Sequence, residues 1–504
     1  MTTDAQLIVP GVTCGDKAEA DRFAPIVDGA DYLRHVKDAM LSARQRIVIV
    51  GWDLDYRTEF ERGEKTLAGP NQLGLFLHWL LWQRRELHVY LLKSNLRLLP
   101  AFDGFWFGVA PVSLLNQFTS ARMHFAVDGA HPTGAVHHQK IVVVDDAMAF
   151  CGGIDLTLGR WDTRAHEPHD ARRQGPGDVY GPRHEAAVAV DGAAADLLAQ
   201  QAHDRWQAAT GKALTSVSRP ASAWPRGLNP TLTNVDVGVA RTLPALPQRS
   251  EIREIEALNL AAIAAARYVI YLENQYLASR SVAEAIAARL REPHGPEVVI
   301  VLPRSSESRL ERESMDSARE TLVRMLRDAD AHDRFAVYWP AAGGGVSVYV
   351  HSKVLVIDGR LLRIGSSNFN NRSLGFDSEC DVAIEADPAL PNCADVEREI
   401  LDVRDGLVSE HLGVSVDDFR AQLERHGGFL QAIEQLRASG RSLRKLTDTM
   451  VSGDASPFAE NDLMDPDHVP RSLAQSAFDV VEAVVAWPFR HTFLGRVYER
   501  LRGH

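Results

Sequence analysis

Two stretches of this chain carry the same three reactive side chains at the same spacing, His-x-Lys-x-x-x-x-Asp. His138, Lys140 and Asp145 form the first, and His351, Lys353 and Asp358 form the second. A neutral histidine can attack as a nucleophile, and a histidine also moves protons near neutral pH. A lysine offers a positive charge to an anion such as a phosphate. On an extended strand, residues i and i+2 share a face, so each histidine is set beside its lysine. At about one in twenty per position, a single copy arises roughly 0.06 times by chance in a chain of this size. Two copies therefore point to a repeat.

The repeat extends beyond the triplets. HHQKIVVVDDAMAFCGGIDL from His137 matches VHSKVLVIDGRLLRIGSSNF from Val350 at an offset of 213 residues. Gly152 then pairs with Gly365, and Asp155 with Asn368. Residues 46–56 resemble residues 267–277. EAAVAVD from Glu185 resembles ECDVAIE from Glu379 at an offset of 194, so the first half holds 19 more residues between Asp155 and Glu185. Gly152-Gly153 and Gly365-Ser366 are small residues that let backbone come close to a ligand. The Asn368 amide can donate to a phosphoryl oxygen. Trp52 and Tyr276 fall at strand ends, where they either line a site entrance or pack in the core.

The elements that must position these residues alternate. The β-branched runs 141–144 and 354–357 read as strands, and 193–209, 252–266 and 309–326 read as helices. Such alternation predicts an α/β fold built from two related halves. The boundaries read as residues 1–214 for the first half, a Pro-rich linker over 215–250, 251–414 for the second half and a helical C-terminal extension over 415–504. In that extension 416–438 has helical spacing, while the arginines and apolar residues of 472–504 suit a helix docked on the domain or lying on a membrane surface.

Composition bounds the rest. The 504 residues carry a formal net charge of −12, which argues against a general polyanion binder but not against a local basic pocket. Four scattered cysteines without a CxxC pair exclude a thiolate zinc site or a disulfide framework. No run of about 18 apolar residues occurs, and the first residues lack signal-peptide character. The expected location is the cytoplasm or the periphery of a membrane, with export by a specialised machine leaving no readable mark.

HHQKIVVVDDAMAFCGGIDLTLGRWD, YLENQYL at 271–277, VHSKVLVIDGRLLRIGSSNFNNRSLGFDSE and the EHLG ending at Gly413 together resemble the blocks of eukaryotic-type members of the phospholipase D superfamily. The resemblance covers about residues 30–414. It implies two α/β halves about a pseudo-twofold axis with one active site between them. By that resemblance His138 forms a phosphohistidine, His351 is the acid and base, and Lys140 and Lys353 hold the non-bridging oxygens. Asp145 and Asp358 complete the catalytic motifs. The resemblance also supplies carboxylates that orient the histidines: Glu379 for His351 and, through the internal repeat, Glu185 for His138. Where family members read Pro-Trp-His-Asp, this chain reads Pro182-Arg183-His184-Glu185. Gly152, Gly153, Ser366, Asn368 and Asp155 are the candidate phosphate or substrate contacts, with Asp155 expected to bond backbone or a neighbour.

The scheme requires no metal and no cofactor, and His166, His169 and Asp170 read as a polar loop rather than a metal site. The expected activity is that of a phospholipase D on glycerophospholipids at a membrane surface, by hydrolysis or by transfer to an alcohol. The alternative is cardiolipin or phosphatidylserine synthase chemistry through the same intermediate. A superfamily nuclease is disfavoured by the charge, and no nucleic-acid partner is expected. A monomer suffices, because one chain carries both motifs.

Overall fold

The computed structural model describes residues 5–447, apart from stretches within 96–118, 176–178, 216–221 and 309–310, together with residues 465–466. The apolar runs become strands. In the first half these are β1 (Asp16–Val27), β2 (Arg46–Gly51), β3 (His88–Ser94), β4 (Met123–Asp128), β5 (Ile141–Val144), β6 (Met148–Gly152) and β7 (Ala186–Asp191). In the second they are β8 (Leu232–Leu243), β9 (Val269–Glu273), β10 (Glu297–Val301), β11 (Phe335–Ala341), β12 (Val354–Ile357), β13 (Leu361–Gly365), β14 (Glu379–Glu385) and β15 (Ser442–Lys445).

All belong to one sixteen-stranded sheet. Its seam is the antiparallel pair β1–β8, with Asp16 opposite Val239 and Phe23 opposite Leu232. Outward from the seam the first half runs β7, β6, β5, β2, β3, β4, and the second runs β14, β13, β12, β9, β10, β11. The matching order gives the chain its pseudo-twofold, and β15 adds an edge to the second half alone. In both halves the outer strands are parallel and helix-connected, as in β2–β3 and β9–β10. The strands joined by tight turns are antiparallel, as in β5–β6 and β12–β13.

The core follows from strands that are buried on both faces. One apolar cluster runs through both halves and includes Val143, Val188, Val237, Val356 and Val382. The opposite faces belong to one half each, with Ile47, Leu91 and Val142 in the first and Ile270, Ile300 and Leu355 in the second. Sharing a core commits the halves to one relative position.

Two readings of the sequence change here. Of the stretch 215–250 read as a linker, residues 232–243 are β8, at the centre of the sheet. Prolines flank this segment, but Val235, Val237 and Val239 alternate with polar or glycine positions and are buried. The helical stretch 416–438 is two helices, Val416–His426 and Phe429–Leu436. They break at Gly427, whose φ of 68° favours a residue without a Cβ. The segment 472–504 lies outside the described residues. Among the described residues no helix is long and apolar enough to cross a membrane.

Asp145 and Asp358, expected at the reaction centre, sit instead in the turns that leave β5 and β12, with φ of 51° and 53°. Asp145 accepts backbone N–H groups of Arg44, Gln45 and Arg46 at 2.7, 2.8 and 2.7 Å. Asp358 accepts those of Arg267, Tyr268 and Val269 at 2.8, 2.8 and 2.7 Å. The reason is reach: at about 3.3 Å per residue, five residues carry each aspartate about 16 Å past its lysine. These carboxylates tie the motif strand to the start of its neighbour, β2 or β9. Asp145→Ala therefore removes a three-bond charged anchor, and denaturant unfolding is expected to show a loss of about 2–4 kcal/mol. Turnover of the molecules that remain folded should stay within a few-fold of wild type.

Candidate active site

Each motif histidine precedes its strand on a short extended link, and both links are bonded to the opposite half. The His138 N–H donates to the Ser378 carbonyl at 2.8 Å, and the His351 N–H donates to the His184 carbonyl at 2.8 Å. Ser378 and His184 immediately precede Glu379 and Glu185. Each glutamate is thereby delivered to the other half's histidine. His138 Nδ1 lies 3.0 and 3.1 Å from the two Glu379 carboxylate oxygens, and His351 Nδ1 lies 3.0 Å from Glu185 Oε2. This corrects the expected pairing of Glu379 with His351 and of Glu185 with His138. A linear repeat equates positions related by the axis; it does not distinguish a contact within one half from the same contact made across the axis.

The carboxylates are themselves held. Ser373 Oγ donates to Glu379 at 2.7 Å, and Ser366 Oγ donates to its other oxygen at 2.5 Å. The Ser366 N–H is bound to Asp381 at 2.9 Å. Ser366 thus places Glu379 rather than meeting a phosphate directly. Arg160 lies 3.2 Å from Glu185.

The lysines fold back along their own links. Lys140 Nζ donates to the His138 carbonyl at 2.8 Å, and Lys353 Nζ to the His351 carbonyl at 2.7 Å. Asp155 lies 3.1 Å from Lys140 and accepts the N–H groups of Trp52 and Asp53 at 2.9 and 3.2 Å. It is a partner of protein cations and amides, not a phosphate contact. Lys353 also reaches Gln275 at 3.1 Å. A Cβ on Gly152 would fall 2.5 Å from Ala187 Cα, so this glycine serves strand packing and not a ligand. A Cβ on Gly153 would lie 3.2 Å from the His351 carbonyl and 3.4 Å from the Lys353 side chain, so Gly153 lets the first half approach the second motif. Asn368 is buried, and its side-chain oxygen has no hydrogen-bond partner among the described residues.

Burial sets the proton balance. Desolvation, with Lys140 and Lys353 adding repulsion, holds the His138 imidazole well below the usual 6.5. Desolvation, with Lys353, Arg160 and Arg183, does the same to His351. Burial likewise raises Glu379 well above its usual range and raises Glu185 against the pull of Arg160. Desolvation pushes Lys353 well below its usual range, with Lys140 and Arg160 repelling it while Glu185 opposes the shift. Burial thus favours few separated charges, and an incoming anion favours the cationic forms of the two histidines and of Lys353.

The rim is aromatic. The Trp52 ring is 6.3 Å from that of His138, and Trp52 is 36% exposed. Tyr349 stacks on His351 at 6.5 Å, and the Arg183 guanidinium lies 4.7 Å over Tyr349. Tyr276 is half-buried and donates to Glu311 at 2.9 Å.

Several residues were missed in the sequence. Arg160 stands in the GRWD segment, yet its contact with Glu185 depends on the loop's return. Behind His351 lies a buried group in which His184 bonds Glu273 at 2.9 Å, His411 bonds Glu273 at 2.9 Å, and His166 bonds Asp162 at 3.0 Å and Glu410 at 3.1 Å. Against the cost of burial, Asp28, Asp162 and Glu410 raise His166 to about 9. The signal was present in the PRHE, ENQ and EHLG segments, but they come together only in three dimensions.

A family profile described as "Cardiolipin synthase, PLD-like domain" matches residues 260–400. Phospholipase D alpha 4 of Arabidopsis thaliana is 25% identical over an alignment covering 84% of this chain and 69% of that protein. Phospholipase D1 of Schizosaccharomyces pombe is 22% identical, with 79% of this chain and 36% of that protein covered. The chain thus spans about a third to two thirds of these relatives' lengths. The solved phosphatidylserine synthase of Haemophilus influenzae shares the fold, with a TM-score of 0.51 at 15% identity over 76% of this chain and 86% of that one. The fold and paired motifs define an α/β protein with a two-histidine site. With the relatives, they make the chain similar to proteins of the phospholipase D superfamily.

The site electrostatics are testable without substrate. In histidine NMR titrations, with His138→Gln used to assign the signal, the His138 midpoint should lie below 6.5. Lys353→Met removes a cation that disfavours imidazolium, so the midpoint should move up.

Proposed function

We propose that the chain is a phospholipase D-type phosphodiesterase. It would cleave the distal phosphodiester of glycerophospholipids at a membrane surface, releasing a headgroup alcohol and leaving phosphatidate. The observation that supports this most strongly is the pair of imidazoles, each with Nδ1 on a buried carboxylate of the other half. With Nδ1 occupied, Nε2 is the nitrogen that reacts.

In the proposed reaction the lipid phosphate lies between His138 and His351. His138 Nε2 attacks phosphorus while the bond to the headgroup oxygen breaks. His351, protonated as the anion binds, gives its proton to the departing alcohol. The result is a phosphohistidine on His138 and a neutral His351. His351 then takes a proton from water or from an acceptor alcohol, whose oxygen attacks phosphorus and frees His138. Lys140 and Lys353 stabilise the charge spread over the non-bridging oxygens. Glu379 and Glu185 keep the rings oriented and stabilise imidazolium as it forms.

A synthase reading uses the same intermediate with a lipid alcohol as acceptor. It is favoured by the family profile matched over residues 260–400, whose description names cardiolipin synthase. Vesicles of phosphatidylcholine, phosphatidylethanolamine or phosphatidylglycerol separate the two readings, with and without ethanol. Phosphatidate, and phosphatidylethanol when ethanol is present, are the expected products. His138→Ala should lower their formation by about 10²–10⁴-fold or more. Cardiolipin from phosphatidylglycerol without phosphatidate would establish the synthase reading. Cleavage of labelled DNA with no lipid turnover would overturn both.

A further inference from the structure

We propose that Asp28, His166, His184 and Glu410 form a closed site for one divalent transition-metal ion, zinc having the matching geometry, that clamps the two halves behind the reaction centre. All four are buried, at 1, 1, 0 and 9% exposure. One ligand atom from each lies within 4.8 Å of all the others. His166 Nε2 is 3.1 Å from Glu410 Oε1 and 3.4 Å from Asp28 Oδ2. His184 Nδ1 is 3.1 Å from the same Glu410 oxygen and 3.3 Å from Asp28 Oδ1. A tetrahedral zinc with bonds of about 2.0–2.2 Å spaces its ligand atoms by about 3.3–3.6 Å. The four nitrogen-to-oxygen separations fall close to that spacing, with Asp28 turning Oδ2 to His166 and Oδ1 to His184.

Two features point to a ligand rather than to a closed hydrogen-bond network. First, the far nitrogen of each imidazole is held by a carboxylate, Asp162 at 3.0 Å for His166 and Glu273 at 2.9 Å for His184. That is the support metal-bound histidines receive, and it turns the opposite nitrogen toward the centre. Bound to a metal, each ring is neutral, keeping one N–H for its supporting carboxylate and turning a lone pair toward the centre. Second, Asp28 Oδ2 is buried and has no hydrogen-bond partner among the described residues. His166 Nε2 has one hydrogen to give, and Glu410 takes it. An ion at the centre satisfies both lone pairs and this oxygen together.

The ligands come from both halves. Asp28 joins β1 to the helix Gly29–Met40, and His166 and His184 belong to the long first-half loop and its return. Glu410 lies on the helix Cys393–Leu412 of the second half. The site also adjoins the reaction centre. Asp28 Oδ1 accepts the Glu185 N–H at 3.0 Å, and the His184 carbonyl accepts the His351 N–H at 2.8 Å. The ion would fix the Glu185–His351 pair without touching substrate. His166 finds its partners in Asp162 and, across the fold, in Glu410 and Asp28, whereas its loop neighbour Asp170 binds Arg172 at 2.7 Å.

The test is metal content. Full-length protein, stripped with a chelator and shown by circular dichroism to remain folded, is titrated with Zn²⁺ against a chromophoric competitor. Uptake of about one equivalent with a rise in melting temperature is expected. His166→Ala and Glu410→Gln should weaken uptake by about 10–100-fold or more. If either variant fails to fold, the wild-type titration still decides. No uptake and an unchanged melting temperature would overturn the proposal, leaving two imidazolium protons as the cluster's cations. Undiminished uptake in both variants would overturn it too, because the ion would then bind elsewhere.

Discussion

A carboxylate from one half holding the imidazole of the other is the interaction on which the arrangement of the site depends. Glu379 reaches His138 and Glu185 reaches His351 only because the links before β5 and β12 bond to Ser378 and His184 across the axis. Neither motif histidine takes its carboxylate from its own half. The seam must therefore be stiff, and it is: β1 and β8 pair along most of their twelve residues, and one apolar cluster continues through both halves. A shift of about 1 Å at the seam would break contacts near 3 Å, because hydrogen bonds weaken steeply with distance and angle.

Charge is arranged on the same plan. The chain carries −12 overall, yet Lys140, Lys353 and Arg160 converge on His351. Glu185 and Glu379 bond the imidazoles, and Asp155 pairs with Lys140. Burial makes each of these charges expensive on its own. An anion placed among them lowers that cost for the cations and shifts the histidines toward the protonated form. Net acidity thus coexists with a site suited to one buried anionic group.

Much of this was legible in the sequence. The duplicated His-x-Lys-x-x-x-x-Asp and the offset of 213 residues gave the two halves and the strands that carry the motifs, because local composition sets strand position. The hidden parts are those decided by long-range contacts. The crossed glutamates are invisible to a linear repeat. Asp145 shares a motif with His138, but its carboxylate is used for backbone amides about a strand's length away. β8 was masked by flanking prolines, which mark turns without reporting on the valines between them. His166, His184, Glu273, Glu410 and His411 come from four separate stretches, so no spacing rule finds them.

The crossed pairing is tested most directly by trapping the covalent intermediate. A phosphatidyl ester of p-nitrophenol needs no acid to leave, so His138 can be loaded even when His351 is impaired. In rapid-quench experiments with this substrate labelled in the phosphatidyl group, Glu185→Gln should accumulate acid-labile, base-stable label on His138, as His351→Ala does. Glu379→Gln, which loosens the nucleophile itself, should accumulate little. The reverse pattern, with label building up in Glu379→Gln and not in Glu185→Gln, would show pairing within halves and contradict the crossed site.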